Sequence, residues 1–150
     1  MGRRLIDPVD LPSFLGQELG VSRWLKIDQN AIDAFGSLTH DQQWIHSDVR
    51  RAMREASGTI AHGFLTLSMM STLASDIWVI SGTKRTINYG FNKLRMPAPV
   101  PSGARIRLRE TLRAVDKKPD GLLITRDSCV EVEGQKKPAV IAEWIAYLVL

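Results

Sequence analysis

Ala61-His62-Gly63-Phe64-Leu65-Thr66-Leu67-Ser68-Met69-Met70-Ser71-Thr72-Leu73-Ala74-Ser75-Asp76-Ile77-Trp78-Val79 is the most hydrophobic helix candidate in the chain. Phe64, Leu67, Met70, Leu73 and Ile77 fit one helical stripe, while Leu65, Met69 and Trp78 put apolar surface on other sides. A helix that is apolar nearly all round is a buried one. At 1.5 Å per residue the segment is about 28 Å long, enough to cross a small domain. His62, Thr66, Ser68, Ser71, Thr72, Ser75 and Asp76 make it too polar for a bilayer span.

After Ser81-Gly82 the period changes to two. Residues 85–96 read as a strand, closed by Pro97, Pro99 and Pro101. Residues 104–115 alternate cleanly, with Ala104, Ile106, Leu108, Leu112 and Ala114 on one face and Arg105, Arg107, Arg109 and Arg113 on the other. Turn sequences at 117–121 and 134–138 bracket a strand over 122–133. The final run, 139–150, is apolar on both faces apart from Glu143 and reads as a covered strand. One buried helix followed by an antiparallel meander predicts an α+β fold, with the sheet wrapped on the helix.

Upstream, Asp10-Leu11-Pro12-Ser13 reads as a helix cap with an early-turn proline, and Gly20 as the stop. Residues 21–27 read as a strand. Asp28 caps a short helix with Ile32 and Phe35 on one face. The polar segment 36–58 reads as loop with short helical turns.

The 150 residues, 44% hydrophobic and 24% charged, are those of an ordinary globular protein. The length predicts one domain over residues 1–150, able to bury roughly 70% of its unfolded surface without a disulfide or metal staple. A net charge of +4 suits a protein that meets anionic small molecules as well as one that meets nucleic acid. Cys129, the single cysteine, reads as a structural strand thiol. Met1-Gly2-Arg3-Arg4-Leu5-Ile6-Asp7-Pro8 has two basic residues but no apolar stretch behind them, so no signal peptide is read and a cytoplasmic protein is expected.

The chemistry sits in Phe35-Gly36-Ser37-Leu38-Thr39-His40-Asp41-Gln42-Gln43-Trp44-Ile45-His46, with Ala52 six residues on. An Asp and a His five apart in a loop can converge on one water and act as acid and base. On spacing alone, a turn-capping Asp and a solvated His would serve as well. The stretch resembles the signature of the MaoC-like, (R)-specific enoyl-CoA hydratases, with Phe35, Leu38, Thr39, Asp41, Ile45, His46 and Ala52 in register. His40, Gln43 and Trp44 depart from it, standing where that signature has Gly, Asn and Pro. Gly58-Thr59-Ile60-Ala61-His62-Gly63-Phe64-Leu65 resembles the family's second block, which opens the central helix of the hot-dog fold. Ile87-Asn88-Tyr89-Gly90 and Val100-Pro101-Ser102-Gly103 fall where it has its next strand and turn. The chain is also similar to 3-hydroxyacyl-thioester dehydratases and nodulation-related dehydratases.

The resemblance implies a hot-dog homodimer that hydrates trans-2-enoyl-CoA to (R)-3-hydroxyacyl-CoA, or runs the reverse dehydration. Asp41 and His46 would share a water, and the Gly63 N–H at the helix start would hold the thioester oxygen. Gln43 keeps an amide for substrate contact on a longer arm. No metal or redox cofactor is implied; CoA or an acyl-carrier protein enters as the substrate's handle. A hot-dog thioesterase and a non-catalytic acyl-CoA-binding module are the alternatives. His62 reads as shaping the helix start or as a catalytic group, and His40 as a solvated loop residue. Asn88 and Tyr89 either line an acyl tunnel or simply alternate in a strand. With no histidine pair at tight helical spacing, a metal site is not expected. The arginine face reads as a solvated outer sheet face that blunts edge pairing, with CoA phosphates or nucleic acid as its other uses.

Overall fold

The computed structural model describes residues 3–150, so Met1 and Gly2 of the N-terminal basic stretch lie outside the described residues. In chain order come β1 (Arg4–Ile6), a 3-10 turn (Leu11–Phe14), β2 (Glu18–Val21), β3 (Leu25–Lys26) and helix α1 (Gln29–Thr39). Helices α2 (Trp44–Ser47), α3 (Val49–Glu55) and α4 (Gly63–Ile77) follow, then β4 (Trp78–Ile80). The chain closes with β5 (Arg85–Arg95), β6 (Arg105–Lys118), β7 (Gly121–Val132) and β8 (Val140–Val149). Strands β2-β6-β7-β8-β5 form an antiparallel sheet in that order, with β3 also on β6. With α4 packed on that sheet, the α+β hot-dog arrangement expected from the sequence is the one observed. No helix among the described residues is long and apolar enough to cross a membrane.

Helix α4 buries Leu65, Thr66, Met70, Leu73, Ala74 and Ile77. Met70, Leu73 and Ile77 of the predicted stripe are buried and Leu67 is partly so, but at the helix start Leu65 and Thr66 turn inward and Phe64 is left 70% exposed. The helix also stops short of residues 78 and 79. Trp78 turns extended, and Trp78-Val79-Ile80 pairs parallel with Arg4-Leu5-Ile6, as suits a run of aromatic and β-branched residues.

The first sixty residues are more helical than their polarity indicates. Asp28 Oδ1 accepts from the Ala31 N–H at 3.0 Å and Asp48 Oδ1 from the Arg51 N–H at 2.9 Å, capping α1 and α3. Segment 36–58 is therefore mostly helix, and α1 runs through Gly36. The 3-10 turn ends well before Gly20, which lies in β2 instead. The strand expected over 21–27 is two short strands. The chain breaks between them at Ser22, whose backbone N–H donates to the Leu108 carbonyl at 2.8 Å while its hydroxyl accepts from the Leu108 N–H at 2.9 Å.

The arginine face lies on β6, between β7 and the short strands β2 and β3, so it blunts no edge; β2 with β3 at one side and β5 at the other are the edge strands. Nor is it a free cationic surface. Arg105 pairs with Glu133, Arg107 and Arg109 with Glu131, Arg109 also with Glu18, and Arg113 with Asp127 and Glu143. Strand β8 buries Val140, Ala142, Trp144, Ala146 and Leu148 on one face. Its other face is partly open, with Ile141 51% exposed, so it is covered on one side only.

The inward face of β6 also holds what its alternation leaves unremarked. Glu110 is fully buried, 3.1 Å from Arg126 Nη1, and accepts from Trp78 Nε1 at 2.7 Å and Ser128 Oγ at 3.2 Å. Burial outweighs Glu110's opposing pull and lowers the Arg126 pKa from its ordinary value.

Candidate active site

Helix α1 ends at Thr39, and His40 takes the left-handed conformation at φ 61° that reverses the chain. This explains the family glycine at that position: a left-handed cap favours a residue without Cβ. The turn brings Asp41 back over α1. A Cβ on Gly36 would lie 2.9 Å from the Asp41 carbonyl oxygen, so the close approach requires glycine. His62 Nε2–H donates to that same oxygen at 3.0 Å.

His46 sits in α2, and its position is fixed on both sides. Its Nδ1–H donates to the Ile60 carbonyl at 2.7 Å, which leaves Nε2 as the ring's lone pair. Its backbone carbonyl accepts from Gln29 Nε2 at 2.7 Å, and Gln29 Oε1 in turn accepts from Thr59 Oγ1 at 2.6 Å. The His46 and His62 rings stack at 3.9 Å between centroids, and Phe35 flanks His62 at 5.1 Å. Sixteen residues of sequence separate the two histidines, and no spacing signal joins them.

Polar atoms of Asp41, His46 and His62 all lie within 4.8 Å of one another. The two imidazoles are poorly set for one metal ion. Ligand nitrogens must point at a common centre about 2.0–2.1 Å away, whereas rings tilted only 27° in a stack send their in-plane lone pairs side by side. His62 Nε2 is also engaged by the Asp41 carbonyl. The arrangement suits proton transfer: a half-buried imidazole of fixed tautomer, a carboxylate beside it, and a pocket against them.

That pocket has a volume of about 290 Å³ and is lined by His46, Gly63, Thr66, Met96 and Val140, among others. Gly63 opens α4, where first-turn N–H groups have no intrahelical acceptor. Met96 Sδ covers the space a Cβ at 63 would need. Nothing in the spacing of residue 96 marks it as part of the site; its placement follows from the proline-rich turn after β5.

Of the residues expected at the site, Asp41, His46, His62 and Gly63 converge. Gln43 is adjacent, but its side chain is exposed and its backbone opens α2, accepting from the His46 N–H at 2.9 Å. Asn88 and Tyr89 do not join them within the protomer. Asn88 pairs with Ala146 on β8, far along that strand from Val140, and its Oδ1 accepts from Trp144 Nε1 at 2.6 Å. Tyr89 is 64% exposed on the edge strand.

A family model described as MaoC like domain matches residues 10–130. The 3-hydroxyacyl-thioester dehydratase Z of Mycobacterium tuberculosis (strain ATCC 25618 / H37Rv) is 44% identical over 138 residues, 91% of each protein. Nodulation protein N of Rhizobium leguminosarum bv. viciae is 41% identical over 143 residues, 93% of this chain and 89% of that protein. Among solved structures, an (R)-hydratase from A. caviae involved in PHA biosynthesis superposes with a TM-score of 0.71 at 22% identity. The match covers 88% of this chain and 94% of that one, and it shows a shared fold.

Proposed function

Because the chain belongs to the MaoC-like dehydratase family, we propose that it adds water across trans-2-enoyl-CoA to give (R)-3-hydroxyacyl-CoA, or removes it in the reverse direction. The observation that carries this reading is the locked His46 tautomer. With Nδ1–H bound to Ile60, only Nε2 is free to take a proton, and it does so beside the Asp41 carboxylate.

In the hydration direction, Asp41 and His46 hold one water between them. As its oxygen bonds to Cβ, His46 Nε2 takes its proton. The electron pair of the double bond moves through Cα onto the thioester oxygen, where the Gly63 N–H and the α4 dipole stabilise the enolate. Collapse of the enolate takes a proton from the dyad onto Cα. Nothing in these steps calls for a metal or redox cofactor. The handle is CoA or an acyl-carrier protein, and the unit is a homodimer. Among the described residues no strand lies on the outer side of edge strand β5, and Phe64 stands 70% exposed next to Gly63; a second protomer would cover both.

The test is an absorbance assay following loss of the conjugated enoyl thioester of crotonyl-CoA. Wild type is expected to turn over, and Asp41→Asn or His46→Ala to fall by about 10²–10⁴-fold. No turnover across short and medium chains would overturn the reading. Release of free thiol instead would make the protein a thioesterase.

A further inference from the structure

A second pocket, of about 340 Å³, opens toward the other end of α4, and Ala74, Trp78, Thr83, Asn88, Arg126 and Trp144 contribute to its wall. Arg126 is 2% exposed, with its guanidinium carbon 3.9 Å from the Trp144 ring and 5.4 Å from the Trp78 ring. Glu110 takes Nη1. Nε and Nη2 are buried without any hydrogen-bond partner. Buried donors are almost always paired, so two orphaned N–H groups of one guanidinium beside a pocket need an explanation. The two free guanidinium N–H groups form one edge of a rigid planar fork, the edge that matches the two oxygens of a carboxylate.

We propose that this pocket binds a carboxylate carried on an apolar body, its oxygens held by Arg126 Nε and Nη2. Ala74, Ile80, Ala146 and Leu148 supply apolar wall, which a bare hydrated anion would leave unused. Glu110 already offsets the arginine charge, which favours a singly charged carboxylate over a phosphate dianion. At roughly 30 Å³ per water-sized group the pocket holds about eleven non-hydrogen atoms, the size of octanoate. Because Nε and Nη2 are closed to solvent, engagement shifts the Trp78 or Trp144 ring, and indole fluorescence reports it. The same chemistry has two sources: a free acid, or the far end of an ω-carboxyacyl thioester whose head lies at the dyad. Gly63 and Ala74 are about 17 Å apart along α4, the reach of roughly a dozen methylenes. This second source rests on the hydratase reading.

The experiment titrates the full-length protein with octanoate, 1-octanol and octylamine, read by tryptophan fluorescence and calorimetry. Octanoate is expected to bind at least about tenfold tighter than 1-octanol, and octylamine not at all. Arg126→Lys, which keeps the charge but loses the planar fork, weakens octanoate by about tenfold. Glu110→Gln, by removing the neighbouring negative charge, tightens it; Arg126→Met abolishes it. Where Arg126→Met fails to fold, Arg126→Lys and Glu110→Gln decide. Equal binding of octanoate and 1-octanol, or octanoate affinity indifferent to both variants, overturns the proposal. With ω-carboxyenoyl-CoA and plain enoyl-CoA of equal length, a KM raised by Arg126→Lys for the first alone identifies the substrate end as the ligand. A KM raised for neither identifies a free acid. If every thioester is inert, the hydratase reading fails, while the octanoate titration still decides this site.

Discussion

Gly36 offers a probe of the dyad that touches no reacting group. A Cβ there would meet the Asp41 carbonyl oxygen at 2.9 Å and two His62 ring atoms at 3.4 Å. Ordinary contact begins some half an ångström farther out, so in Gly36→Ala the Asp41 peptide must retreat by about that amount. Inside a helix, Gly→Ala normally stabilises by ~0.5–1 kcal/mol. Overpacking against backbone that resists movement costs ~1–3 kcal/mol, giving a net loss of about 0.5–2 kcal/mol. The functional cost is larger in proportion. A misplacement of about 1 Å can cost on the order of 10²-fold in rate, so a shift of half that at Asp41 is expected to lower kcat/KM for crotonyl-CoA by roughly 10–10²-fold. Urea unfolding and the hydration assay, run beside Ser37→Ala as a helix control, measure both quantities. A Gly36→Ala protein that is more stable than wild type and fully active would refute the claim that Gly36 sets the position of Asp41.

Three further outcomes follow from other sites. His40→Gly relieves a left-handed backbone at φ 61°, a strain of ~1–2 kcal/mol that glycine's freedom in the unfolded chain partly offsets. Urea unfolding should show a gain of about 0.5–1 kcal/mol, and a loss would contradict the strain. Burial pushes the Glu131 carboxyl upward, but bonds from Arg109 and Arg107 overcome it and leave the pKa lowered. Its contribution, on the order of 1 kcal/mol, is therefore present above the unfolded value near 4.3 and lost as pH falls through the lower folded value. Glu131→Gln should be less stable than wild type at pH 7 and converge with it in acid; a gap that persists or widens in acid would refute this. Burial and the neighbouring Glu131 push the Cys129 thiol up against the opposing pull of Arg109. Iodoacetamide at neutral pH should label it at least about tenfold more slowly in the native than in the unfolded protein, as mass spectrometry can follow, and fast native labelling would be the contrary result.

Periodicity carries the elements whose burial is one-sided and long. The stretches 61–79 and 104–115 declared a buried helix and a half-buried strand, and both exist within a few residues of those bounds. It fails where structure comes from capping rather than patterning. Segment 36–58 looks like loop by polarity, yet Asp48, Gln29 and the His40 reversal hold it as helix and turn. At the candidate site, the convergence of Asp41, His46 and Gly63 is legible from motif order. The stacking of His62 on His46 is not, since it depends on Ile60 and Asp41 presenting carbonyls to the two rings. Glu110 carries its own signal in the sequence: a carboxylate in the middle of an apolar period-two face has to find a buried cation. Arg126 and Ser128, at alternate positions of β7, are the residues the register places opposite Leu112 and Glu110.

The four arginines of the β6 ladder meet five acids, so the ladder itself carries none of the chain's +4 excess. Among the described residues, Arg50 and Arg54 on α3 and Arg95 beside Met96 stand in no ion pair, and neither do Lys117 and Lys118 at the end of β6 or Lys136 and Lys137 in the turn before β8. The excess positive charge therefore sits off the ladder, which is left electrostatically quiet. Attraction exerted by the unpaired charges reaches a Debye length, roughly 8 Å at physiological salt, so added salt weakens it while the paired ladder changes little.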